Sequence, residues 1–175
     1  MKQNFFIALV FGLICSINAN AQTAKEKAEQ LASEFNKEKN KHKEKNGQVT
    51  EKHVSVEAKP DYREKVSTYA STYEMEGLDQ FITLTQNTAG EWQADFTGKK
   101  DGALVTTGKL KDVKIEDALL TGTYVSADGK TQSFEAVFIN RFVNGEPSSK
   151  GLGFKQVLSL SNGMMVDRAF YKRKE

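Results

Sequence analysis

From residue 49 onward the chain runs in short stretches where apolar and polar residues alternate with period two, divided by Gly, Asn and Asp. That pattern predicts strands with one face in a core and one in water. Val54, Val56 and Ala58 alternate until Pro60-Asp61 interrupts them. Residues 66–75 put Tyr69, Tyr73 and Met75 on one face and Val66 and Ala70 on the other, and residues 81–85 follow. Trp92, Ala94 and Phe96 alternate with Gln93 and Asp95. Residues 98–102 read as an exposed turn, and 103–107 and 110–115 as two shorter strands. Ala127-Asp128-Gly129-Lys130 separates two further runs, and Asp-Gly is a favoured hairpin pair. Residues 144–151 read as a longer loop in which Pro147 excludes a continuous strand. Residues 152–160 and 164–172 then pair across Ser161-Asn162-Gly163.

About eight strands without an intervening helix predict an all-β antiparallel meander. Closing it into a small barrel over 49–175 removes the exposed edges. The run 134–142 is apolar on both faces, with Phe134, Ala136 and Phe138 on one and Val137 and Ile139 on the other. An ordinary barrel wall is wet outside, so this stretch needs a cover.

Residues 22–48 form a separate charged, helical extension. Ala24, Ala28, Leu31, Ala32 and Phe35 fall at helical spacing, and Thr23 with Glu26 matches a capping box. No apolar residue follows Phe35 until Val49, so only the first three turns can dock. They would cap one mouth or, through Leu31 and Phe35, cover the outer face of 134–142. Lys37, Lys41 and Lys45 share a face beyond. Interleaved Glu34, Glu38 and Glu44 favour a solvated helix end; the other reading is a basic contact with an envelope surface or protein partner.

Residues 1–21 have the layout of a signal peptide: Lys2, an apolar stretch over 5–17, then Ala19-Asn20-Ala21. The apolar stretch falls short of the ~20 residues that span a membrane. Export to the periplasm or beyond is therefore expected. Lipid anchoring through Cys15 fits less well, because Ile14 stands where a small residue is normal. The chain has one cysteine, so cleavage after Ala21 leaves no disulfide, and the fold relies on its core. The formal charge of +2 includes Lys2, and a near-neutral chain offers no argument for nucleic acid.

Signal segment, short helix and meander in this order resemble secreted bacterial lipocalin-like proteins, and more loosely the avidin and fatty-acid-binding families. Leu120-Thr121-Gly122-Thr123-Tyr124 is similar to a strand of avidin-like barrels, and Arg168 on the last strand matches an arginine that lipocalins share. The Gly-x-Trp of the lipocalin first strand is missing, since Trp92 lies on about the third. Arg168-Ala169-Phe170-Tyr171 does not meet the Arg-x-Tyr of fatty-acid-binding proteins. The resemblance implies a barrel that holds a small hydrophobic molecule.

His42 and His53 are the only histidines, and both precede the barrel. With no thiol beside them, a Ser-His-Asp or Cys-His site or a zinc site lacks its residues. No glycine-rich phosphate loop opens a helix, so no cofactor is expected. A carboxylate pair, Glu135 with Asp167, is the residual hydrolytic option, although alternation turns Glu135 to water. The leading expectation is a non-catalytic barrel binding a small apolar or amphiphilic ligand. Tyr69, Tyr73, Trp92, Tyr124 and Phe138 would line the pocket, and Arg168, facing in with Val166 and Phe170, would meet a head group. The alternative is a protein-interaction or envelope-associated module whose aromatic residues fill a solid core.

Overall fold

The computed structural model describes residues 22–36, 55–75, 77–160, 165–166 and 168–174. The expected signal segment 1–21, Cys15, the lysine-rich stretch 37–46, both histidines, Asp167 and the Asn162-Gly163 turn lie outside these residues. One helix, α1 (Ala24–Ser33), precedes β1 (Val56–Pro60), β2 (Ser71–Met75), β3 (Gln80–Gln86), β4 (Trp92–Lys100), β5 (Ala103–Glu116) and β6 (Leu119–Ser126). β7 (Thr131–Val143), β8 (Glu146–Phe154), β9 (Leu158–Ser159), β10 (Met165–Val166) and β11 (Ala169–Arg173) follow.

Consecutive strands from β2 to β8 pair antiparallel, and β11 bridges β8 and β2. Those eight strands close an antiparallel barrel. β1 is added outside the ring: β6 pairs with β7 up to Val137, and β1 takes over the same edge from Ile139 to Val143. β7 is thus hydrogen-bonded on both sides for most of its length. Among the described residues no helix is long and apolar enough to cross a membrane.

Several expected boundaries shift, each for a local reason. The stretches 103–107 and 110–115 are one strand, β5, whose register slips at two bulges that absorb the apparent break. The turn between β4 and β5 is Asp101-Gly102 alone, with Lys99 and Lys100 inside β4. The expected loop 144–151 contracts to Asn144-Gly145, both at positive φ (53° and 84°), a conformation that suits this pair. Pro147 therefore lies within β8, opposite Phe142 beside a bulge and beyond the reach of β11, where its missing N–H leaves no ladder bond unmade. Residues 66–69 form a 3-10 turn ahead of β2. The last hairpin pinches apart after Phe154 into the separate β9–β10 ladder.

α1 lies on the outer wall, not over a mouth. Its first turn carries the expected capping box: Glu26 N donates to Thr23 Oγ1 at 3.2 Å and Thr23 N to Glu26 Oε2 at 2.9 Å. Ten residues are marginal as a free helix, so docking must stabilise it. Ala28, Ala32 and Phe35 pack on Ala58, Leu119, Val137 and Ile139, the outward apolar face of β7 and its neighbours. Lys27 ion-pairs Glu135, which removes Glu135 from any carboxylate pair inside the barrel.

A glycine trough seats the end of this helix. A Cβ on Gly153 would lie 2.7 Å from the Phe35 ring and 2.6 Å from Ile139 Cδ1, so the ring rests directly on strand backbone. Phe170, opposite Gly153 on β11, closes the trough 6.4 Å from Phe35. The Arg141 guanidinium stacks on the outer side of Phe170 at 4.7 Å.

Candidate functional site

The barrel interior divides into a polar plug at one end, a stack of rings, and a cavity at the other end. The plug is built on Asp61, which is buried just after β1. Its carboxylate accepts from Arg63 Nε at 2.9 Å and from Asn140 Nδ2 at 2.9 Å. Arg63 also donates to Thr68 O and lies 4.9 Å over the Tyr69 ring. Tyr69 Oη donates to Asp61 O and Tyr73 Oη to Tyr69 O, each at 2.6 Å. Burial raises the pKa of both phenols, Tyr73 the more strongly. An acid, an arginine and two tyrosines thus seal this end with their polar groups satisfied.

Rings fill the middle. Tyr69 stacks on Phe138 at 3.9 Å; Phe134 meets Phe96 at 5.5 Å and Phe154 at 5.0 Å; Phe154 meets Tyr171 at 5.7 Å. These separations suit favourable aromatic pairs, and the rings belong to one connected buried cluster.

The far end opens into a cavity of about 650 Å3, between the β5–β6 end of the wall and the β9–β10 flap. Tyr124, Val105, Leu158, Leu160 and Met165 give it apolar sides, and Thr107, Ser126 and Gln132 give it polar ones. Gln132 Nε2 donates to Val157 O at 3.1 Å and tethers the flap to β7. Met165 and Val157 are 62% and 49% exposed, so apolar surface continues onto the rim. Tyr124 lies flat because residue 108 is glycine: a Cβ there would sit 2.4 Å from the ring. Its hydroxyl donates to Thr107 O at 3.0 Å, and burial raises its pKa. At the rim Asp128 pairs with Lys130 at 2.8 Å, and hydrogen bonds from Lys130 and Ser126 bring the Asp128 carboxyl down to about 2.

Of the six residues expected to line a pocket, Tyr69, Tyr73 and Phe138 come together in and beside the plug. Trp92 lies half-buried against the interior cluster on β4, and Tyr124 alone lines the cavity. Arg168 does not face inward. Ala169 and Tyr171 are the inward residues of β11 and Phe170 the outward one, so the facing is opposite to the expected one. Arg168 sits exposed just before the strand, 3.4 Å from Glu34 at the end of α1. The flap residues Leu158, Leu160 and Met165 line the cavity, where alternation alone predicts ordinary wall. Their one sequence signal is the polar pair Lys155-Gln156, which breaks the alternation where β8 ends.

Among the described residues no three His, Cys, Asp or Glu side chains gather as a metal site. Comparison with family models, with curated proteins and with solved structures returned no match.

Proposed function

We propose that the protein is an exported, non-catalytic barrel that holds one small apolar or amphiphilic molecule in the mouth beneath the β9–β10 flap. The observation that carries this reading is the cavity of about 650 Å3 with Tyr124, Val105, Leu158, Leu160 and Met165 on its walls. Its size lies inside the roughly 300–1,000 Å3 range of small-molecule sites, and an apolar lining with a few polar groups is their usual composition. The filled interior limits the ligand's depth: it would lie across the mouth, its apolar body against Tyr124 and the flap, its polar end toward Thr107, Ser126 and solvent. Arg168 has no part in this site.

Native mass spectrometry of the purified protein, with a thermal-shift series of fatty acids and other amphiphiles, tests the reading. Co-purifying mass or a dose-dependent shift is expected, and Gly108→Ala should abolish it by driving the Tyr124 ring into the cavity. No bound mass and no shift with any amphiphile would refute the proposal. The continuous ring stack favours a second reading, a solid barrel acting as an interaction module, and that negative result would support it.

A further inference from the structure

A separate feature lies at the plugged end, where β8 and β11 part. β11 pairs with β8 only as far as Lys172↔Gly151. Beyond that point it follows β2, through Arg173↔Tyr73 and Lys174 N to Thr72 O at 2.9 Å. Residues 146–150 of β8 keep β7 on one side and have no strand on the other among the described residues. An unpaired edge is a template for another extended chain; Pro147 supplies no N–H here, so an added strand bonds through the edge carbonyls and the N–H groups on either side of that residue. The opposite end of the sheet is treated differently: on β1, Ala58 N donates to Asn36 Oδ1 behind α1, which caps that edge.

The parted strands enclose an open cleft of about 1,150 Å3. Arg141, Lys150, Lys172, Arg173 and Lys174 line it, against one carboxylate among the described residues, Glu74, which Lys174 already engages at 3.2 Å. No ion pair holds Arg141, Lys150, Lys172 or Arg173 among the described residues. By strand alternation, Lys150 and Arg173 belong to the inner face of the wall, in phase with Leu152 and Tyr171. Arg141 and Lys172 belong to the outer face, in phase with Ile139 and Phe170. An added strand would send successive side chains to those two faces in turn and meet a cation on each.

We propose that this cleft captures an extended acidic peptide segment of a partner protein, which adds a strand to β8 at 146–150 and sets its carboxylates against Lys150 and Arg173 on one face and Arg141 and Lys172 on the other. Main-chain bonding to an edge supplies affinity, and the alternating charges supply selection. The chain's own residues 37–54 do not suit the cleft: they hold six lysines against three glutamates. A second copy would bring like charge to like.

The test is fluorescence anisotropy with a labelled heptapeptide of alternating Glu and Val. Controls are the same peptide methylated on its backbone nitrogens and inorganic polyphosphate. The parent peptide is expected to bind, and to weaken as salt rises because rim charges are screened. Backbone methylation, or the paired variant Lys150→Glu/Arg173→Glu, should each weaken it by about tenfold or more, the loss of roughly 1.4 kcal/mol. The variant's far-UV circular dichroism confirms its fold, and Lys109→Glu/Lys114→Glu on β5 controls for net charge. Failure of the peptide to bind would overturn the proposal. So would equal binding of the methylated peptide, or displacement of the labelled peptide by polyphosphate as effective as displacement by the unlabelled peptide, since the cleft would then select charge alone.

Discussion

Gly153→Ala offers a sharp test of how the helix is held. The new methyl would lie 2.6 Å from Ile139 Cδ1 and within 2.8 Å of two Phe35 ring atoms, and all of these belong to side chains that can move. Backbone strain is therefore not the outcome; Phe35 leaves its trough instead. Burial of a phenylalanine contributes roughly 1.5–3 kcal/mol, and Phe35 is now 9% exposed, so displacing it costs about 2 kcal/mol. Replacing a strand glycine by alanine returns about 0.4–1 kcal/mol through the unfolded chain. The net destabilisation expected is about 1–1.5 kcal/mol, a fall of several degrees in Tm. A double-mutant cycle isolates the cause. In a Phe35→Ala background only Ile139 opposes the methyl, so Gly153→Ala should cost under about 0.5 kcal/mol or become favourable, a coupling of about 1 kcal/mol or more. Urea unfolding of the four proteins measures this, and amide exchange in α1 should quicken in each single variant. Additive effects, or a fully stable Gly153→Ala protein with unchanged α1 exchange, would refute this account of docking.

Alkaline pH should destabilise the barrel through its tyrosines. Burial raises the folded-state pKa of Tyr73 and Tyr171, so their contribution is complete below pH 10 and is lost as pH rises through the folded values. At pH 11 each withholds a phenolate at about 1.4 kcal/mol, together about 3 kcal/mol, measurable by urea unfolding at pH 9 and 11. Native far-UV dichroism with all five phenols ionised near pH 10 would contradict it. Arg63→Ala should cost about 3 kcal/mol in chemical denaturation, because Asp61 stays buried with Asn140 as its remaining side-chain partner. Arg168→Ala should change stability by less than about 1 kcal/mol and leave amphiphile binding intact, since its contact with Glu34 is exposed; lost binding in the same assay would reinstate it as a ligand residue.

The barrel was legible because period-two alternation survives on nearly every strand, and Asp-Gly and Asn-Gly fall at its tight turns. The cover over 134–142 was legible too, because two-sided apolarity and a narrow helical stripe of matching size stand in one chain. What alternation could not give was registration after a break. The β8–β11 ladder ends at the Ala169↔Phe154 pair, and a shift of one residue there turns Arg168 outward and Phe170 onto the helix. The bulges in β5 were hidden for a related reason, since an inserted residue looks like a turn. Pro147 misled because its exclusion from strands lapses at an edge. Asp61 carried no sign of burial: its partners Arg63 and Asn140 are joined to it by the fold, one of them from β7.

β7 has a further consequence for how the sequence can vary. On most strands a polar substitution is absorbed at every second position, because one face is wet. Between Phe134 and Ile139 that relief is lost: Ala136 and Phe138 meet the ring stack, while Val137 and Ile139 meet α1. Only Glu135, paired with Lys27, interrupts the buried run. Tolerance to mutation should therefore lose its two-residue rhythm here and become a continuous block. Any drift in the small residues of α1 would have to be matched by drift in this one strand.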